Sequence, residues 1–436
     1  MSSVLENRLA TPKAGTPSGP LAPAVSPVRV TAAVPPAGSA AEPAPLEPVK
    51  IELLDLSAGH EPKETDSHYD RCNVAIAAAG QEIARVDDPG RTELGPNVAW
   101  GPDGFTVVAT SGGQVRTHQS QIWVDDVLGI PGDVDFKTGN LEYGRDICIR
   151  GCIHDLFKVT SGGTIRVVRD VEAAEVRAAT DLLVGGGISG KEKGHCFAGH
   201  DVHARYIRNA NVEAGRDVVA VNEISHSRVI SGGRVCVDRG AIMAGHITAA
   251  GGITCHTVGC SSDSRTIIEA GIDEGLRRLA TEHAPKIDAD NKQIERIRQT
   301  VEPLMQHQKG LTAAQKEKAT ELLDSAAEVE ERNRATIDML REACAAAAAR
   351  CNEEVLVSGM VEDGVIARFR GVEADVPPGT RGPIRIAPRT IDGVRQIMVT
   401  HRGSSSGVGL ATRQVADPVM DALEHVIAAK PPGAAA

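Results

Sequence analysis

The chain has 436 residues, 41% of them hydrophobic but only 2% aromatic, with a net charge of −11 and a pI near 5.7. This length allows two or three domains, and the scarcity of rings leaves Val, Ile, Leu and Ala to fill any core, which suits a narrow β-branched interior and not a bulky sandwich. The acidic balance argues against a general nucleic-acid binder and against steady attraction to anionic membranes, because both need clustered Lys and Arg.

The opening MSSVLENRLATPKAG has no apolar run of signal-peptide length, and no stretch of 18 apolar residues occurs in the sequence. The nine cysteines are odd in number, and none forms a CxxC pair. A cytoplasmic protein with reduced thiols and no membrane span is the expected class. Residues 11–48 carry ten prolines among Ala, Ser and Gly. They hold too little apolar bulk to offset their ordering entropy, so residues 1–50 are expected to be a disordered Pro/Ala-rich tail, or alternatively a docking arm for a partner. Residues 72–131 suggest a small β-rich domain, with VVAT (107–110) and QIWVDDVL (121–128) as strands and PDG (102–104) and SGG (111–113) as turns.

From Gly132 a phrase recurs: a small residue, two others, then an aliphatic one. It places aliphatics at 147, 165, 182, 202, 218, 235 and 253, spaced 18, 17, 20, 16, 17 and 18. Such a period marks a solenoid. Each repeat also divides into thirds: Ile147, Ile153, Val159, Ile165 and Val171 are six apart, and Val202, Ile207, Val212, Val218, Ile224, Val229 and Val235 are five or six apart. The reading is a mainly β fold, with residues 132–271 forming a single-stranded parallel β-helix of about 18 residues per coil. Each coil puts an inward aliphatic on every side of a triangular tube, and coils stack about 4.8 Å apart. Glycines are expected at corners for positive φ or close approach.

Residues 272–352 change character. Ile287, Ile294 and Val301 recur every seventh residue, with Ile297 and Leu304 between them. Further on, Leu323, Ile337, Cys344 and Cys351 share one heptad position, while Asn333 and Leu340 share the other. An antiparallel α-helical coiled-coil hairpin is expected, opened in its second half by a Thr312/Gln315 capping box and kinked or broken by Pro285 and Pro303 in its first. Residues 353–400 return to strands that would close the β-helix, and 401–436 read as a linker with one short helix or tail.

Two segments carry a resemblance. KTGNLEYGRDICIRGCI (137–153) resembles the opening of the repeat in the bacterial flagellar assembly protein A family, FapA. EISHSRVISGGRVCVDRGAIMAGHITAAGGITCHTVG (223–259), with its His226–Ser227 pair, resembles that family's closing rungs. IEAGIDEGL (268–276) and VSGMVEDGVIARFRG (357–371) follow in matching order. The resemblance spans roughly 72–400, and the sequence departs from it in its long Pro/Ala tail and a shortened N-terminal domain. It implies a right-handed β-helix with the helical hairpin inserted before the final strands. It also implies a non-catalytic role in flagellar assembly and polar placement, with flagellar or polar assembly factors as partners.

The sequence also holds candidates for chemistry. Asp146, Asp181, Asp201 and Asp217 share a place in their coils and could hold calcium as in a polysaccharide lyase, but Asp also favours corners for local backbone bonding, and Thr164 and Arg234 interrupt the series. His195, Cys196, His200 and His203, and again His246, Cys255, His256 and Cys260, are zinc-ligand types without zinc-ligand spacing; alternation along a strand sends neighbours to opposite faces. A hexapeptide-type acyltransferase, with a histidine such as His226 or His200 as base, is the main enzymatic alternative. Against it, the residues following the aliphatics are Cys148, His154, Thr160, Arg166 and Glu172, where that class places small ones. Dinucleotide, P-loop and nucleophile-elbow motifs do not occur. The sequence therefore assigns no catalytic, cofactor-binding or metal residue. It favours a non-enzymatic cytoplasmic scaffold, acting on protein partners or on further copies of itself through the hairpin.

Overall fold

The three inward aliphatic positions of each repeat stack into three columns in a computed structural model, which describes residues 49–54, 75–261, 264–306, 312–401, 403–404 and 407–428. The Pro/Ala-rich segment 11–48, Cys72 and the side chain of Leu304 lie outside these residues. The first column runs Leu128, Ile147, Ile165, Leu182, Val202, Val218, Val235, Ile253 and Val355, every neighbouring pair hydrogen-bonded in parallel. All seven positions marked by the repeat phrase are in it, with Leu128 added below and Val355 above. The second column runs Leu141, Val159, Val176, Cys196, Val212, Val229, Ile247, Ile268 and Ala367. The third runs Val134, Ile153, Val171, Ile188, Ile207, Ile224, Ile242, Val258 and Val361. The result is a β-solenoid of about 8 turns with about 18 residues per turn. The columns make one continuous core of side chains almost wholly removed from water. Each buried Val or Ile there contributes roughly 1.5–3 kcal/mol.

The corners follow two rules. Most repeat glycines serve close approach: a Cβ at Gly215 would collide with the carbonyl oxygen of Gly199 in the coil below, and one at Gly232 with that of Gly215, while Gly252 takes a positive φ of 94°. Positive φ also falls on non-glycine residues at the bend from the third column to the second, where Asn209 (φ 47°), His226 (φ 48°) and Ala244 (φ 54°) sit on successive turns. A single left-handed residue makes this corner at Asn209 and at His226, which accounts for the slip from six to five residues between Ile207 and Val212, and between Ile224 and Val229; at the next turn Gly245 (φ 97°) joins Ala244.

Two four-stranded sheets precede the solenoid. One joins Ile51–Leu53, Glu82–Val86, Thr106–Ala109 and Val98–Trp100; the other joins Ile76–Ala77, Gly113–His118, Gln121–Asp125 and Glu93–Leu94. Their shared core centres on Ile83, Val107, Ile122 and Val124.

After Thr266–Ala270 the chain leaves the solenoid as two helices, α1 (Glu274–Gln306) and α2 (Ala313–Arg350), and re-enters at Val355–Val361. Ion pairs Arg298–Glu330 (2.5 Å), Arg332–Asp290 (3.3 Å) and Arg350–Asp273 (2.7 Å) show that the helices run antiparallel. The capping box at Thr312 and Gln315 is formed. Neither Pro285 nor Pro303 breaks α1, which runs unbroken through both; Ala284 and Ile287, on either side of Pro285 in sequence, are buried in the core that the helices share. Ala280, Ile287, Ile294 and Val301 are buried at seven-residue intervals, as are Ala319, Ala326, Asn333, Leu340 and Ala347. Leu323, Ile337, Cys344 and Cys351 are only half-buried beside that seam. A third helix, α3 (Pro418–Ala428), packs Leu423 and Val426 against the foot of the pair.

Once Val355–Val361 and Val365–Phe369 have paired in parallel with the coil below, the pairing turns antiparallel. Ile384–Ile391, Val394–His401 and Gly407–Gly409 pair in succession, as do Val365–Phe369, Val372–Asp375 and Thr412–Gln414. This covers the open end that a parallel stack otherwise presents.

Candidate functional site

The recurring aspartates are structural. Asp146 Oδ1 accepts the backbone N–H of Thr164 one coil up (2.7 Å), and Asp217 Oδ1 that of Arg234 (2.7 Å). Asp181 accepts from Asp201 N (3.2 Å), and Asp201 from Asp217 N (3.1 Å). Thr164 and Arg234 thus continue the series as donors. The carboxylates bond the backbone of the next coil, where local bonding to their own turn was expected. Asp133, Asp155 and Asp170 repeat the device at other corners, accepting from Cys152, Ala173 and Gly187.

The two His/Cys groups are not brought together. Cys196 and Cys255 point inward as core residues, and burial pushes both thiols up to about 12. His195 is on the opposite, exposed face from Cys196. His256 Nδ1 meets Ser358 Oγ at 3.0 Å, and Cys260 Sγ lies 3.6 Å from the carbonyl of Ser264. Among the described residues no group of three or more His, Cys, Asp or Glu side chains could hold a metal ion.

What the fold does assemble lies at the left-handed corner. Parallel register places Asn211, Arg228, His246 and Ile267 one above another on the outward side of the second face. The bend residues Asn209, His226 and Ala244 stack beside them, and Arg265 follows on the next turn. Between these rows is a recess of about 430 Å³, with Glu192 at its lower end. Its floor includes Ser227, whose hydroxyl donates to Ser225 O (2.7 Å) and accepts from Ala210 N (3.2 Å). Both roles are structural, so the His226–Ser227 pair is not arranged as base and nucleophile. Of these residues the sequence marked His226 and His246. Arg228 is legible in retrospect as the residue immediately before the inward Val229, the place His246 takes before Ile247.

Beside the recess lies a buried charge cluster. Glu269, 2% exposed, projects from the strand Thr266–Ala270 beneath the helices. It accepts from Arg368 Nη1 (2.7 Å) and Thr248 Oγ1 (3.1 Å), and Arg277 of α1 stands 4.0 Å away. His246 Nε2 is 3.1 Å from Glu269 Oε2, close enough for charge attraction although not aligned as a hydrogen bond. Burial alone raises the Glu269 pKa, but His246 and Arg368 outweigh it and hold the carboxyl at about 2. Arg277 extends the cluster to Asp417 (2.8 Å) ahead of α3, and Arg368 extends it to Glu373 (3.0 Å).

No helix among the described residues is long and apolar enough to cross a membrane. No curated protein and no solved structure matches the chain. The profile of the Flagellar Assembly Protein A beta solenoid domain does match, over residues 126–376, from the first rung to the strands after the helical pair. That match covers more than half of the 436 residues and coincides with the solenoid itself, so the chain belongs to the flagellar assembly protein A (FapA) family.

Proposed function

We propose that this FapA-family protein is a non-enzymatic scaffold in flagellar assembly, working in the cytoplasm and at the cell pole through protein–protein contacts made by its helical hairpin. The observation that carries the proposal is the way the hairpin is mounted. It is spliced between two strands of a rigid core, and its foot is tied by Arg350–Asp273 (2.7 Å), Arg277–Asp417 (2.8 Å) and Arg278–Glu213 (2.6 Å). The 38 residues of α2 give an arm of about 57 Å at 1.5 Å per residue. Its seven-residue seam supports a coiled coil, with polar faces left over for a partner or a second copy. The described cysteines are all free thiols, which suits a reducing compartment.

The test is to replace residues 274–350 with a short Gly/Ser bridge, which the proximity of Asp273 and Arg350 permits. The expected result is a folded solenoid that no longer captures the partners held by the full chain, in cells with misplaced or missing flagella. Normal flagellation together with unchanged capture would refute the proposal.

A further inference from the structure

The recess at the left-handed corner combines features that a merely structural corner does not need. Three basic side chains, Arg228, Arg265 and His226, surround a gap in the bend row, and His246, turned to Glu269, lines it beside them. His226 stands one turn below Ala244 and Arg265 one turn above it, while Arg228 and His246 flank the gap across the row. Ala244 and Gly245 leave the space open, and a Cβ on Gly245 would strike the backbone of Ser227. At one coil per about 4.8 Å, His226 and Arg265 stand about 10 Å apart.

The two arginine charges stand without a carboxylate partner. Several surface arginines of this acidic chain meet carboxylates, as Arg278 meets Glu213, Arg413 meets Glu373, and Arg208 meets Glu223. Among the described residues Arg228 and Arg265 have no such partner, and the one acid of the recess, Glu192, belongs to the turn below Asn209. His226 makes the same left-handed bend as Asn209 and Ala244 on the neighbouring turns, so its ring is carried on the rim of the recess.

We infer that this recess binds a diphosphate group, with the Arg228 and Arg265 guanidinium groups clamping its two phosphates and His226 donating from the side. Guanidinium forks match phosphate oxygens in a bidentate fashion, and a span of about 10 Å suits two linked phosphates better than one. The volume, about 430 Å³, leaves room for a small attached group. The same chemistry is offered by inorganic pyrophosphate and by a nucleoside diphosphate.

Calorimetric titration of the full-length protein with inorganic pyrophosphate, and separately with ADP at matched ionic strength, tests this. The expectation is saturable one-to-one binding of at least one of them, weakened at least tenfold by R228Q/R265Q and unchanged by R166Q, an arginine on a different face of the same solenoid. Tighter binding of ADP would identify the nucleotide as the source; equal binding would mean that the diphosphate alone is read. Absence of saturable binding by the unmodified protein overturns the inference. So does equal weakening by R166Q, which would reduce it to a general charge effect.

Discussion

Replacing Glu269 with Gln removes one charge from the buried cluster while keeping its shape and its capacity to accept from Thr248. The folded carboxyl titrates at about 2 against an ordinary 4.5, held there by His246 and Arg368 in spite of burial. Because the folded value lies below the unfolded one, folding favours the ionised form. Its stabilisation is complete above pH 4.5 and fades as pH falls towards 2. A difference of about 2.5 units at 1.36 kcal/mol each amounts to about 3 kcal/mol. Glu269→Gln is therefore expected to cost about 3 kcal/mol at pH 7 and almost nothing at pH 2. Urea unfolding followed by helical circular dichroism, with wild type and variant compared at each pH, isolates this carboxyl from all others. A gap that persists undiminished below pH 3, or that is missing at pH 7, would show that the cluster does not depend on the Glu269 charge.

Asp217→Ala leaves the N–H of Arg234 without its acceptor and should lower stability by about 1–3 kcal/mol, whereas Asp217→Asn, which keeps an acceptor oxygen, should cost less than half as much by thermal unfolding. Gly215→Ala forces a methyl against the carbonyl of Gly199; a loss of roughly 1–3 kcal/mol is expected, and a neutral outcome would mean that the coils can part at this corner. Asn333 is 5% exposed with its Nδ2 unbonded, so Asn333→Leu should raise the melting temperature of the helices. The same variant should admit shifted helix pairings, visible as broadened NMR signals along α1 and α2.

The solenoid was legible because an aliphatic side chain every third of a coil is the whole requirement for its core. Seven positions in the first column could be read directly, down to the slip from six to five at the His226 corner. Polar roles were less legible, since they depend on which residue lies one coil away. The aspartates were recognised as corner residues, but their acceptance of the next coil's N–H could not be read from spacing that varies between 16 and 20. Glu269 looks like any solvent-facing residue of a strand; it is buried by α1 and by strands from beyond residue 360, which no local pattern announces. Arg265 follows a segment that departs from the repeat, so its place above Ala244 emerges only with the Gly245–Thr266 pairing. In α2 the heptad spacing was clear, yet Asn333 and Leu340, with alanines above and below, form the buried line, while the bulkier Leu323 and Ile337 stand at its margin.

The splice between Ile253 and Val355 also bears on how the chain reaches its final form. Each earlier rung joins residues 16–20 apart, so a newly made coil finds its template at once and the stack can grow in the order of synthesis. The last rung must wait for a partner 102 residues downstream. Closing so long a loop costs about 1.5 kcal/mol more chain entropy than closing one of 18 residues. Two helices that zip together antiparallel bring Asp273 and Arg350 side by side and remove that cost in advance. The arm that reaches outward is thus also the clasp that lets the rod finish, and the terminal strands can seal the stack only after it has closed.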